Sequence, residues 1–88
     1  ELGQHNIRVN AILPGIVEGP RMEGVIRDRA ARTNASYEET RQKYLANISL
    51  RRMVSPADIA AMVSFLLSGA GVNVSGQSIG VDGNVETL

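Results

Sequence analysis

The sequence predicts an α/β unit built on two parallel strands. Three features predict it: a β-branched apolar run at Ile7–Leu13, a second short run at Gln77–Val81, and a strongly capped amphipathic helix between them, opening at Ser55. Strands joined through a helical crossover normally run parallel, with a right-handed connection.

Residues Glu1–Asn6 read as a helix end, because Gly3 and Asn6 tolerate the left-handed conformation that closes helices. The chain reads as entered partway through that helix. Ile7–Leu13 (IRVNAIL) is nearly continuous in apolar character, which suits a strand covered on both faces. Pro14-Gly15 ends it, since proline lacks the donor a ladder needs. Pro20 fits the first turn of a helix with Gly19 as its N-cap. Met22, Val25, Ile26 and Ala30 follow at helical spacing, up to a break at Thr33-Asn34-Ala35. Ser36-Tyr37-Glu38-Glu39 is a capping-box pattern for a second helix running to about Asn47, and an irregular stretch follows through Val54. Ser55-Pro56-Ala57-Asp58 combines an N-cap serine, a first-turn proline and an acidic third position. Ile59, Met62, Val63, Leu66 and Leu67 form the apolar stripe of that helix, and Ser68-Gly69-Ala70-Gly71 ends it. Gly76 precedes the last strand, and Asp82-Gly83-Asn84 turns out of it.

Composition narrows the function classes. The 88 residues are 43% apolar, with nine Lys+Arg against nine Asp+Glu and a net charge near zero. A balanced charge argues against a nucleic-acid or anionic-membrane surface. Arg21, Arg27, Arg29 and Arg32 cluster, but Glu23 and Asp28 lie among them, the pattern of a solvated helix face. The chain has no cysteine, so disulfides and thiolate metal sites are excluded and a reducing, cytoplasmic setting is expected. No stretch approaches the ~20 apolar residues of a membrane span.

The chemistry-bearing residues are few. No glycine-rich phosphate loop is present. His5 is the one histidine and sits beside a predicted helix end, where capping or solvent exposure is its ordinary role. Asp28, Glu38 and Glu39 fall on helix surfaces and do not converge. Tyr37 and Tyr44 share a helix face and suit packing against a neighbour. Tyr44 has Ile48, not Lys, four residues on. The segment Arg8–Met22 stands apart. A strand ending in Pro-Gly just before a helix forms the kind of edge where ligands bind in open α/β sheets. Gly15 would let a ligand approach the backbone, and the Ile16 and Val17 peptides are uncommitted to strand or helix. An ordinary strand-to-helix turn would look the same, and the pattern alone leaves both open.

IRVNAILPGIVEGP, with Asn10, Pro14 and Gly15, resembles the N-x-x-x-P-G segment of the short-chain dehydrogenases/reductases, of classical, 3-oxoacyl-reductase-like type. The later run of Arg52, Pro56 and Asp58, then Ser75-Gly76-Gln77 and Val81-Asp82-Gly83, resembles that family's last helix and strand. The resemblance implies the C-terminal part of a Rossmann-type doubly wound parallel sheet: residues 1–18 as helix end, strand and cofactor turn, 19–54 as substrate lid, and 55–88 as last helix, last strand and tail. It implies an oxidoreductase moving a hydride between NAD or NADP and a secondary alcohol or carbonyl. Pro14, Gly15, Ile16, Val17 and Gly19 would bind the cofactor, with the Val17 peptide on the nicotinamide carboxamide. Met22, Val25 and Ile26 would be candidates for substrate contact. The last helix and strand would form a homo-oligomer interface, dimeric or tetrameric. The family's glycine-rich loop, catalytic Ser and Tyr-x-x-x-Lys have no counterpart here, so no catalytic residue is assigned and the chain alone is expected to be inactive. Where the family often has a cofactor-binding Thr, this sequence has Gly19, and Asn84 stands where Gly is frequent. A non-catalytic dinucleotide-binding module and a purely structural oligomer-forming domain are the rival readings.

Overall fold

The computed structural model describes residues 2–85. Its elements are a 3₁₀ turn at Gly3–His5, strand β1 (Ala11–Pro14), helices α1 (Pro20–Thr33), α2 (Tyr37–Ala46) and α3 (Pro56–Leu67), a second 3₁₀ turn at Gly69–Gly71, and strand β2 (Ser78–Val81). β1 and β2 pair in parallel, in the register Ala11↔Ser78 through Pro14↔Val81. Pro14 stands at the end of the ladder, where its missing N–H costs nothing, and the Gly15 N–H donates onward to the Val81 carbonyl at 3.0 Å.

β1 is shorter than the apolar run that predicts it. Residues 8–10 are bound to the loop before β2 instead of to a strand, and the Ile7 N–H turns back to the Leu2 carbonyl. The Val9 carbonyl accepts from the Gly76 N–H at 2.8 Å, and the Val9 N–H donates to Ser75 Oγ at 3.3 Å. Gly76 takes a φ of 73°, so the partner chain there is not extended. Both ends of the Asn10 amide hold the same loop: Nδ2 donates to the Val74 carbonyl at 2.9 Å, and Oδ1 accepts from the Gln77 N–H at 3.1 Å. Arg8 Nη1 donates to the Gly71 carbonyl at 2.9 Å. Asn10 and the Ser75-Gly76-Gln77 run thus set where the two strands begin to pair.

The helix ends follow local chemistry. Gly19 caps α1 with Pro20 in the first turn, and Asn34 closes it at a φ of 55°. Ser36 and Glu39 form the reciprocal capping box of α2, and Ser55 and Asp58 that of α3. The first 3₁₀ turn closes on Asn6, at a φ of 59°.

The hydrophobic core lies beneath α1 and α2, not on the sheet. Ile26, Leu45, Ile48 and Met53 form it, with Ile16, Met22, Tyr37, Tyr44 and Val85 packed around. Full burial of such side chains stabilises by about 1.5–3 kcal/mol each. Arg51 adopts a φ of 57° and wraps the chain over Ile48, its Nη1 donating to the Ile48 carbonyl. Gly83, with a φ of 65°, touches the same place: a Cβ there would stand 3.0 Å from Ile48 Cγ2.

The sheet half is open. Val9 and Leu13 are more than half exposed, and of the predicted α3 stripe Leu66 is buried while Val63 and Leu67 are exposed. The expected strand covered on both faces is therefore not covered by these residues. The radius of gyration, 16.9 Å, exceeds the about 12 Å expected of an independent domain of this length. The 88-residue chain alone is expected to melt broadly and to self-associate, because its apolar sheet face stays wet. Light scattering during a thermal scan checks this; a sharp, concentration-independent transition would contradict it.

Asp58 gives a second expectation. Its Oδ2 accepts from the Ser55 N–H at 2.8 Å, and that bond first, then the Ser55 hydroxyl beside it and a smaller attraction from Arg52, hold its pKa below the ordinary Asp value. A carboxyl whose folded pKa is depressed contributes stability at pH values above its unfolded pKa and loses it as pH falls through the folded one. Unfolding midpoints should therefore fall on acidification below about pH 4. Asp58→Asn should remove that part of the decline.

Candidate functional site

The segment after β1 continues a parallel pairing, with a new partner. Val17 bridges to Val54. The Val54 N–H donates to the Ile16 carbonyl at 2.8 Å, and the Glu18 N–H donates to the Val54 carbonyl at 2.8 Å. In extended backbone, successive residues turn their N–H and C=O to opposite sides. With Ile16 and Glu18 facing Val54, the N–H and C=O of Val17 face the other way. Among the described residues neither has a backbone partner. An adjacent donor and acceptor thus lie just past the end of a parallel strand.

The sequence reading is corrected at one of these peptides and at one glycine. The Ile16 carbonyl is not free, since Val54 occupies it. Gly15 is crowded by the protein itself: a Cβ there would come within 2.5 Å of Asp82 Cβ and 2.7 Å of Asp82 Cα. Its missing side chain makes room for the turn after β2, not for a ligand. Gly19 differs, with open space around its Cα. Its φ of 155° and ψ of 179° fall in a region that is essentially glycine-only. Pro14 closes the ladder and points the chain into the turn. Arg41 of α2 reaches back to Glu18 at 3.6 Å, tying α2 to the turn.

A groove runs from this turn beneath α1. Its near part, a concavity of about 480 Å³, is walled by Gly15–Val17, Gly19, Met22 and Val25. Its far part, about 510 Å³, shares Ile16, Met22 and Val25 and ends on Arg29, Lys43 and Tyr44. Both volumes are on the scale of small-molecule sites. Ile26, the third expected substrate contact, is 1% exposed and belongs to the core. Helical spacing put all three on one side of α1, but Ile26 lies where that side turns into Leu45 and Ile48.

Sequence reading missed Val54, because a single bridging residue has no periodicity to betray it. It missed the far wall too. Arg27 and Arg29 are exposed, as a solvated face requires, but Arg29 also lies over the ring of Tyr44 in that wall, at 5.7 Å to the centroid, and Arg27 lies over Tyr37 at 6.0 Å. His5 is exposed, at the end of its 3₁₀ turn. Among the described residues no group of three or more His, Cys, Asp or Glu could hold a metal, and no helix is long and apolar enough to cross a membrane.

Parallel strands linked through helices, with open peptide groups past a strand's carboxyl end, are the arrangement of an open α/β sheet, whose ligands sit outside the carboxyl ends of its strands. The chain belongs to the short-chain dehydrogenase/reductase family: the family described as enoyl-(acyl carrier protein) reductase matches residues 1–85. It is 36% identical over 85 residues to the 3-oxoacyl-[acyl-carrier-protein] reductase FabG of Thermotoga maritima, covering 97% of this chain and 30% of that protein. A short-chain dehydrogenase family protein from Francisella tularensis superimposes with a TM-score of 0.84 at 32% identity, over 93% of this chain and 34% of that one. L-sorbose reductase from Gluconobacter frateurii, solved with NADPH and L-sorbose, gives 0.82 at 26% identity, over 99% of this chain and 34% of that one. The chain therefore spans about a third of the length of the relatives it matches. The fold is the Rossmann-type sheet, of which β1 and β2 are two adjacent parallel strands.

The crowding at Gly15 sets an expectation. Gly15→Ala should lower unfolding stability by about 1–3 kcal/mol, since backbone rather than a flexible side-chain end is in the way. Denaturant titration measures it. A glycine kept for ligand approach would instead lose cofactor affinity at unchanged stability.

Proposed function

We propose that this chain forms the nicotinamide turn, the substrate lid and an assembly face of an NAD- or NADP-dependent reductase or dehydrogenase acting on a carbonyl or secondary alcohol. The observation that carries the reading is the outward N–H and C=O of Val17. A carboxamide needs one donor and one acceptor side by side, and Val17 offers that pair. A bound nicotinamide supplies or accepts the hydride. The residues of this chain orient it: the Val17 backbone holds the carboxamide, and Pro14, Gly15 and Ile16 shape the turn. With Thr replaced by Gly19, no side-chain hydroxyl adds to that grip. Fixing the ring relative to the substrate lowers the entropic part of the barrier.

Met22 and Val25 form the apolar wall facing the groove and would contact substrate, with α1 and α2 excluding water as a lid. The family's catalytic Ser and Tyr-x-x-x-Lys would come from elsewhere in the polypeptide, so these 88 residues alone would be inactive. The exposed Phe65, Leu67 and Val72 suit a homo-oligomeric interface, a dimer or tetramer, rather than solvent. The absence of cysteine suits the reducing cytoplasm.

Val17→Pro removes the N–H and leaves both bonds to Val54 in place. In the full-length enzyme it should weaken NADH or NADPH binding about tenfold, the worth of one well-formed hydrogen bond. Fluorescence titration of the reduced cofactor reads this, with the unfolding midpoint as control. Unchanged affinity would leave assembly as the role of this segment. Tight cofactor binding by the 88 residues alone would favour a binding module.

A further inference from the structure

The groove has two unlike ends. At one end stands the Val17 peptide; at the other stand two cations. Arg29 and Lys43 line the far part together with Tyr44 and Asn47, and no carboxylate lines it. Among the described residues neither cation is ion-paired, whereas Arg27 and Arg41 of the same helix pair are held by Glu23 and Glu18. The Arg29 guanidinium lies over the Tyr44 ring, which fixes its position at the groove without using its hydrogen-bond donors. Between the two ends the wall is Ile16, Met22 and Val25.

The geometry points to a substrate of matching polarity: a carbonyl compound with a short apolar middle and an anionic group at its far end, received by Arg29 and Lys43. The inference rests on the cofactor turn proposed above, since the groove is a substrate site only if the nicotinamide sits at Val17. Arginine and lysine on an anion make charge-assisted bonds, stronger than neutral ones. Both cations are solvated, so the gain per pair is modest and salt-sensitive. A cation in the last turn of α2 also offsets the carbonyl end of that helix. That role would need neither Arg29 nor the groove, which separates the two in a test.

The test uses the full-length enzyme and three carbonyl probes: a short keto acid, its methyl ester, and acetoacetyl-coenzyme A, whose anionic charge is phosphate. The keto acid is expected to have a KM at least fivefold below that of its ester, and the gap should close as salt is raised. Arg29→Gln with Lys43→Gln should raise the KM of the anionic substrate at least fivefold, change kcat less than twofold, and leave the ester untouched. Arg29→Lys with Lys43→Arg should restore most of the difference. If the thioester alone shows this pattern, the anion is a phosphate. Equal handling of acid, thioester and ester by the wild-type enzyme at low salt overturns the inference even where a variant fails to fold. Failure to bind NADH or NADPH would instead overturn the cofactor turn and leave the charge preference a separate result.

Discussion

Two hydrogen bonds to Val54 carry the site. They hold Ile16 and Glu18 to one side, and the alternation of extended backbone then forces the Val17 peptide to the other. Without Val54 the segment from Gly15 to Gly19 would be a loop whose peptides could face anywhere. Its position depends in turn on the irregular stretch after α2, where Ile48 and Met53 are anchored in the core. The hydrophobic packing of α1 and α2 therefore reaches the turn through one residue.

This coupling explains why the core sits where it does. A helix pair hung on a sheet needs its own packing to keep its inner wall in shape, and α1 and α2 have it. Ile26 and Leu45 meet between them, and Tyr37 and Tyr44 close the edge beneath Arg27 and Arg29. The sheet half shows the reverse economy. Its order comes from backbone and polar groups, chiefly the Asn10 amide and the Asp82 turn, in which Asp82 Oδ1 accepts from the Asn84 N–H at 2.8 Å. Such bonds set register, while burial supplies most of the free energy. The apolar face of β1 receives little of that burial from these residues.

What could be read from the sequence was local. The starts of α2 and α3 were visible because capping depends on residues three apart, and Ser36-Glu39 and Ser55-Asp58 both form as read; that of α1 was visible in Gly19-Pro20. Parallel pairing followed from a helical crossover between two short apolar runs. The strand limits were not visible, since the break at residues 8–10 is made by Ser75 and Gly76, more than sixty positions away. The same holds for the site. Pro14-Gly15 marked the turn, but nothing local could tell that Gly15 yields to Asp82 or that Val54 claims the Ile16 carbonyl. Ile26 shows the limit of periodicity, which finds the inward side of a helix and not the line where core becomes groove.

Gly19 limits what the turn after β1 can offer a ligand. A hydroxyl at this position could not simply be put back, because the backbone here occupies a conformation that a threonine would enter only with strain. The fold therefore leaves residue 19 only its peptide groups to offer a ligand. That choice has a consequence for the groove, since no side chain at residue 19 narrows its mouth and nothing lies within 4 Å of where a Cβ would be. The room left beside Pro20 and Met22 widens the path from the Val17 peptide toward Arg29 and Lys43. The missing side chain that rules out a hydroxyl at residue 19 is also what leaves the mouth of the groove open.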